Sequence, residues 1–289
     1  MILSLLASTA VLFSASAQEA TLPTIDAQSL AMGGVTMTNV NSSHSLFNNA
    51  ALTAFSLLPA KISTSYYGQA DFDYYGISGY WRFDQRNTLQ AGWRQYHREK
   101  GNHDSALDLA YVRRLNENWP IGITGRYTHL KRYEEAADAL AVDLSVAWAK
   151  PLSWERYTTL RAGAKLSNLG GYLDDAGLDL PIDFTVGAAL DTYFSDAHQL
   201  TVGADLGYCF TPDAVRGFQA SVGAEYALMQ LVRLRAGYHY GEKEGYYPSY
   251  GSVGAGISIL HIRVDFAYLI ADKETSLHDT YSISFGLDF

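Results

Sequence analysis

"LTVGADLGYCF", residues 200–210, decides the fold. Leu200, Val202, Ala204, Leu206, Tyr208 and Phe210 fall on one side. Thr201, Gly203, Asp205, Gly207 and Cys209 fall on the other. A period of two is the signature of a strand with unlike faces. Here the apolar side carries aromatics at its end, and the other side is polar, charged or glycine. The same alternation runs from Lys61 to the last residue. Ile262, Val264, Phe266, Tyr268 and Ile270 oppose Arg263, Asp265, Ala267 and Leu269, and Ile283, Phe285, Leu287 and Phe289 oppose Ser282, Ser284, Gly286 and Asp288.

About fourteen such runs can be counted. They lie near 61–67, 72–83, 87–97, 104–114, 119–131, 138–150, 156–168, 181–193, 198–210, 216–228, 231–241, 249–259, 261–270 and 280–289. Globular strands average about five or six residues, whereas a tilted strand crossing a bilayer needs about 9–11. The connections supply a second argument. "FDQRN", "NEN", "FSDA", "MQ" and the Leu260 junction are short; "EKGNHD", "RYEEAADA", "LGGYLDDAGLDL", "GEKEGYYPSY" and "ADKETSLHD" are long. Outer-membrane barrels alternate short periplasmic turns with longer outer loops. "GQAD" is the one connection that breaks the alternation. The fold class expected is all-β: a 14-stranded antiparallel transmembrane β-barrel in the bacterial outer membrane, both termini periplasmic.

Composition agrees. The chain has 289 residues, net charge −9, 18% charged residues and 13% aromatics, with 21 Tyr. A nucleic-acid partner is excluded, because no basic patch exists. Nothing reaches the roughly 18 consecutive apolar residues of a membrane helix. The single cysteine, Cys209, leaves no intrachain disulfide. Ile2 to Phe13 is apolar and precedes Ala15-Ser16-Ala17, an A-x-A cleavage signal. The expected organisation is a signal peptide over 1–17, a plug or hatch segment over 18–58 and a barrel over 59–289.

The inward face carries the chemistry. Arg126, Asp143, Arg161, Asp205, Glu225, Arg233, Arg235, Arg263 and Asp265 all have inward parity, as do Arg94, Asp108 and Asp183. Opposite signs sit on nearby strands, and Arg pairs with carboxylates through its planar fork. Two readings follow: a charged selective pore, or, favoured, a ladder that neutralises itself. Inward glycines at 163, 187, 203, 207, 223 and 237 leave space to be filled. The candidate filler is "DAQSLAMGGVTMTNVNSSHSLFNNAAL", residues 26–52. Its Gly33 and Gly34 permit close backbone approach, and Asn39, Asn41, Asn48 and Asn49 supply hydrogen bonds. Catalysis finds no support: there is no HExxH, CxxC, G-x-S-x-G or P-loop, and His97, His103 and His129 lie apart in sequence. His239 with Ser258 forms no recognisable motif. Asp174, Asp175 and Asp179 lack regular calcium-ligand spacing. No cofactor or metal is expected.

The segment at 26–52 resembles the N-terminal signature of FadL-like barrels, where Gly-Met-Gly-Gly is followed by Asn-Pro-Ala; here the latter is Asn48-Asn49-Ala50. "YVRRLNENWPIGITGRYTHLKR", "AVDLSVAWAKPL", "RAGAKLSNLGGYLDDAGLDLPIDFTVGAAL", "LRAGYHYGEKEGYYPSYGSVGAGI" and "VDFAYLIADKETSLHDTYSISFGLDF" resemble the PorV/PorQ branch of that superfamily. The resemblance implies a non-enzymatic barrel of the type IX secretion system of Bacteroidota. Such a barrel receives secreted cargo domains and passes them to an attachment complex. Its partners would be outer-membrane lipids and lipopolysaccharide, other envelope subunits and cargo. Partner binding would then use Tyr133, Glu134, Glu135, Tyr172, Asp174, Asp175, Tyr246, Tyr247 and Tyr250, the alternative for the tyrosines being the interfacial aromatic girdle. Two other readings stand beside it: a structural subunit of another outer-membrane assembly, and a FadL-like channel for hydrophobic small molecules.

Overall fold

The computed structural model describes residues 24–69, 72–98, 103–132, 135–152, 157–173, 179–242 and 246–289. The proposed signal peptide and the start of the plug segment, up to residue 23, lie outside the described residues. Fourteen strands form one closed antiparallel barrel. They are β1 (Ala60–Gln69), β2 (Phe72–Arg82), β3 (Asn87–Arg98), β4 (His103–Arg114), β5 (Pro120–Arg132), β6 (Glu135–Pro151), β7 (Thr158–Tyr172), β8 (Asp183–Ser195), β9 (His198–Cys209), β10 (Gly217–Leu228), β11 (Val232–Gly241), β12 (Tyr250–Ile259), β13 (Ile262–Ile270) and β14 (Tyr281–Asp288). Neighbours in sequence are neighbours in space, and β14 returns to β1 with Lys61 opposite Asp288 and Gly68 opposite Tyr281. Closure leaves no free edge, so every strand's main-chain groups pair within the wall.

The wall sorts its side chains by parity. Val202, Leu206, Tyr208 and Phe210 face out, as do Ile262, Val264, Phe266, Tyr268 and Ile270. Trp81, Phe83, Trp119 and Phe194 crowd the near end, where β1 begins; Tyr75, Tyr127, Tyr208, Tyr240 and Tyr268 crowd the far end. An apolar band between two aromatic belts is the surface a bilayer requires of a barrel. Among the described residues no helix is long and apolar enough to cross a membrane; the crossing elements are strands.

Two expected loops are wall instead. "RYEEAADA" was expected to be a long connection, yet β6 starts at Glu135 and pairs Ala136 with Lys131 and Asp138 with His129. "LGGYLDDAGLDL" is shortened from its front, because β7 continues to Tyr172 opposite Ala139. Ala137, Ala139 and Ala141 fill inward positions with almost no side chain, so the alternation there is between small and polar rather than apolar and polar. The wall is therefore tallest at β6, with 17 residues, and lowest at β14, with 8. A register shift between Val142 and Leu144 places Asp143 opposite a bulge in β7. Asn168, at φ 61, occupies that bulge and gives its main-chain N–H to Asp143 at 2.8 Å.

Residues from Thr24 to Phe55 run inside this wall, and Leu57 is exposed at its near end. Asp26 caps a five-residue helix, α1 (Ala27–Ala31), by accepting from the Gln28 N–H. Asn49 caps a 3-10 helix, Ala50–Phe55, by accepting from the Ala51 N–H. Ile25, Ala27, Leu30, Ala31, Leu46 and Phe47 form one buried cluster with Tyr67, Tyr74, Tyr96, Val112 and Leu269 of the wall. This is the largest apolar cluster among the described residues, and it joins the N-terminal segment to strands on both sides of the closure.

Candidate functional site

The N-terminal segment has little charge of its own and is held by wall side chains that reach its main chain. Ser282 donates to the Ile25 carbonyl at 2.7 Å, and the Ala27 N–H donates to Ser284 at 3.0 Å. Ser252 accepts from the Gly33 N–H at 2.9 Å. Lys61 reaches the Ser42 carbonyl at 3.0 Å, Arg263 the Asn41 carbonyl at 2.8 Å and Lys165 the Phe47 carbonyl at 2.9 Å. His44 lies between Ser78 and Ser65, at 2.6 and 2.8 Å. Asp26, fully buried, accepts from Ser29, Ser42 and Ser43. These bonds answer the rule that buried polar groups need partners.

The asparagines divide the labour. Asn39 bonds Ser29, and Asn48 bonds Ser42 and Thr24. Asn49 donates to the Met37 carbonyl at 3.0 Å and to Val146 of the wall at 3.2 Å, besides its capping bond. A proline in its place would have no such donors. Asn41 serves through its main-chain carbonyl, not the amide side chain that was expected to act.

Gly33 and Gly34 have φ of +69° and +83°, a region open to glycine. The inward glycines of the wall receive this segment. At Gly223 an added Cβ would meet the Met32 carbonyl, and at Gly237 it would meet Gly33 N and Met32 C. Gly163 and Gly187 lie against Met37, and Gly203 against Val35. Gly207 is different: it faces Thr185, not the segment.

Among the described residues, the inward charges form two connected networks and two outlying pairs. Arg94 and Arg126 share Asp108 at 3.1 and 2.7 Å, Arg126 reaches Asp143 at 2.8 Å, and Lys165 joins Asp143 at 3.0 Å. On the other side Arg235 links Glu225 at 2.6 Å to Asp265 at 2.7 Å, with Arg233 at 3.7 Å from Glu225. Arg161 pairs with Asp191, and Arg263 with Asp288 at 3.3 Å. Asp205 departs from the expected ladder. Among the described residues it has no cationic partner, and it accepts from the Thr36 and Met37 N–H groups at 2.6 and 3.0 Å. Lys61, Lys165, Asp191 and Asp288 were missed among the site residues, although each has inward parity on its strand.

Between the segment and the far end lies a cavity of about 280 Å³. Its floor includes Ile25, Met37, Phe47 and Asn48; its walls include Tyr74, Tyr96, Arg94, Arg126, Lys165, Asp183 and Asp205; Tyr172, Leu180, Pro181 and Tyr247 complete it. Tyr74 and Tyr96 stack at 3.8 Å, and the Arg94 guanidinium sits 4.7 Å from the centre of the Phe47 ring. On the other side of the segment the space beside Met32, Asn39 and Arg161 is about 10 Å³, no more than a water. The larger of these two spaces therefore lies on the far-end side of the segment.

Several expected partner-binding residues occupy other roles. Tyr247 packs on Cys209 and Val215, with Tyr246 against the same cluster. Tyr250 is buried and stacks on His239 at 5.0 Å. Tyr247 is buried over Cys209 and Tyr250 begins β12 with its ring inside the wall, so neither presents a face to a partner. Tyr172 lines the cavity. Tyr133, Glu134, Asp174, Asp175 and the side chain of Glu135 lie outside the described residues. Burial, with Cys209 adding to it, pushes the Tyr247 phenol well above its ordinary value, so this ring acts as a neutral lid on Cys209. Replacing Tyr247 by Ala is expected to raise maleimide labelling of Cys209 in the folded barrel by about tenfold, the factor for a local opening made easier by about 1.4 kcal/mol. An unchanged labelling rate would show that the ring does not cover the thiol.

His239 hydrogen-bonds Ser221 at 3.0 Å, while Ser258 holds Arg233 at 2.6 Å, so His239 and Ser258 are not assembled into a pair. His97 and His103 are cross-strand partners, but no group of three metal-ligating residues forms among the described residues.

No family model and no curated protein matches the chain. Solved structures do. The Pseudomonas putida toluene transporter TodX aligns with a TM-score of 0.66 at 13% identity, covering 91% of this chain and 98% of that one. The Ralstonia pickettii toluene transporter TbuX aligns at 0.61 and 13%, covering 91% and 98%. A Pseudomonas aeruginosa FadL homologue aligns at 0.56 and 14%, covering 93% and 99%. Near-complete coverage both ways, with the closed fourteen-strand wall, gives this chain the fold of the FadL-like outer-membrane barrels.

Proposed function

We propose that the protein is a non-enzymatic outer-membrane channel for small molecules with an apolar body, closed below by its N-terminal hatch. The observation that carries this reading is the cavity of about 280 Å³ between the far-end loops and the hatch, in a barrel whose structural neighbours include toluene transporters. Ligand pockets are concave and combine apolar surface with polar groups that fix orientation; Phe47, Tyr74, Tyr96, Leu180 and Pro181 supply the apolar part of a lining that is otherwise polar and charged. The far end is then the outer side, and both termini face the periplasm. Cells producing the protein should take up labelled single-ring aromatics faster than cells without it. Gln219→Trp, which fills the cavity from β10, should return uptake to the background rate. Equal uptake with and without the protein would rule the channel out.

A second reading rests on the bonds that tie the N-terminal segment to the wall from several strands: a segment so held fits a closed vessel rather than an open pore. This suits a PorV-like protein-binding subunit or cargo shuttle of a type IX secretion or attachment complex, or a structural subunit of another outer-membrane assembly. Isolation in gentle detergent decides it: partner chains should co-purify, and a chain that emerges alone counts against this reading.

A further inference from the structure

The charged side chains around the cavity are not balanced on all sides. Arg94, Arg126 and Lys165 each form salt bridges, to Asp108 or Asp143. Lys165 also spends a donor on the Phe47 carbonyl. Asp183 and Asp205 line the same cavity, and among the described residues neither forms a salt bridge. Asp205 is 4% exposed and holds the hatch through Oδ2. Its Oδ1 lies over Gly187 and has no hydrogen-bond partner. Asp183 stands nearer the far end, at the start of β8 and opposite Cys209. Its two oxygens share the single hydroxyl proton of Thr185, at 3.1 and 3.0 Å. A carboxylate has about four acceptor positions, so most of Asp183's capacity is unused.

The apolar surroundings matter as much as the charge. Leu180 and Pro181, which line the cavity, lie just before Ile182 and Asp183 in the chain. Tyr247, which packs on Cys209, and Tyr172 line the same cavity. A carboxylate together with phenol rings recognises an organic cation: the carboxylate attracts the charge, and ring faces attract it through their quadrupole. Arg94, Arg126 and Lys165 with Asp108 and Asp143 leave one positive charge, and Asp183 and Asp205 add two negative ones, so the walls carry one net negative charge. The size sets a second limit, because about 280 Å³ lies at the lower end of the roughly 300–1,000 Å³ of ligand pockets. One ring with a short arm fits; a long acyl chain does not.

Resting on the channel reading, we infer that the cavity takes a small organic ammonium, a single apolar ring bearing a protonated amine, with Asp183 as its counter-charge. Calorimetric titration of the purified full chain in detergent tests this with three probes: 2-phenylethylammonium, its uncharged shape analogue propylbenzene, and 3-phenylpropionate. The ammonium is expected to bind about tenfold or more tighter than either. Asp183→Asn should bring the ratio of ammonium to propylbenzene affinity close to one, and Asp183→Glu should restore it. Thr185→Lys, which sets a cation beside Asp183, should abolish the preference by another route. Heat-modifiable migration on gels confirms that each variant is folded. Propylbenzene binding without an ammonium preference, or a preference that survives both Asp183→Asn and Thr185→Lys, overturns the inference and leaves the channel reading in place. Binding of none of the three probes, with uptake at background, removes both.

Discussion

Arg235→Met is expected to lower the barrel's stability by about 3–5 kcal/mol, the cost of leaving buried charges without their partner. The Arg235 side chain is fully buried and bridges Glu225 and Asp265. Asp265 also accepts from Gln28 of the hatch at 2.6 Å, so the network joins β10, β11 and β13 to α1. Methionine fills similar space but supplies no donors, so among the described residues Glu225 is left with only Arg233, at 3.7 Å, and Asp265 with only the Gln28 amide. Denaturant unfolding in lipid vesicles, followed by heat-modifiable migration, reads the loss. Adding Glu225→Gln and Asp265→Asn to the variant should recover part of it, because most of the cost is the uncompensated charge rather than the missing bridge. A loss below about 1 kcal/mol would mean that the ladder behaves like a solvated surface pair.

Gly237→Val should eject the hatch while leaving the wall closed. The new Cβ would lie well inside contact distance of both Gly33 N and the Met32 carbonyl carbon. Neither is a flexible side-chain end, so neither can step aside. Ordinary overpacking costs about 1–3 kcal/mol, and a main-chain collision leaves only displacement of one of the two segments. The wall is secured by pairing along both edges of every strand. The segment is secured by scattered side-chain bonds and is the part that yields. Chymotrypsin is then expected to cut within residues 24–58, at sites such as Leu46 and Phe47 that are buried in the native barrel, and a planar bilayer should show conductance steps absent from the parent protein. Gly125→Ala, where an added Cβ meets nothing within 4 Å, is the control and should change neither. A protease-resistant, non-conducting Gly237→Val barrel would show that the segment does not depend on this contact.

Much of the fold was legible because parity is a local property. A residue's neighbours at i±2 decide which face it joins, and the bilayer makes the outer face uniformly apolar. Val202 to Phe210 and Ile262 to Ile270 could be assigned outward without knowing what they touch. Legibility failed where that contrast vanished. At Ala136 to Ala141 small residues occupy the inward positions, so the run looked like a loop; at Tyr172 the strand outlasts its apolar pattern. The site followed the same division. Inward parity marked Asp205, Glu225, Arg235 and Asp265 as lumen residues, yet it could not separate Asp265, which pairs with Arg235, from Asp205, which binds main-chain amides. Pairing depends on how fourteen strands close and on the path of the segment between them. Tyr247 and Tyr250 were misplaced for a related reason: a tyrosine near charged residues carries no local mark of whether its ring will be buried against Cys209 or His239.

By itself, then, the sequence determined a closed antiparallel wall with an apolar exterior and a charged interior, because those follow from a two-residue period repeated at lengths that match a bilayer. The tertiary structure alone decided that Met32, Gly33 and Met37 fill the space left by inward glycines, that the charges cancel in particular pairs, and that a cavity with an unbalanced Asp183 remains at the far end. Those outcomes are set by contacts between residues as far apart as Gln28 and Asp265, where no local pattern records the distance to be closed.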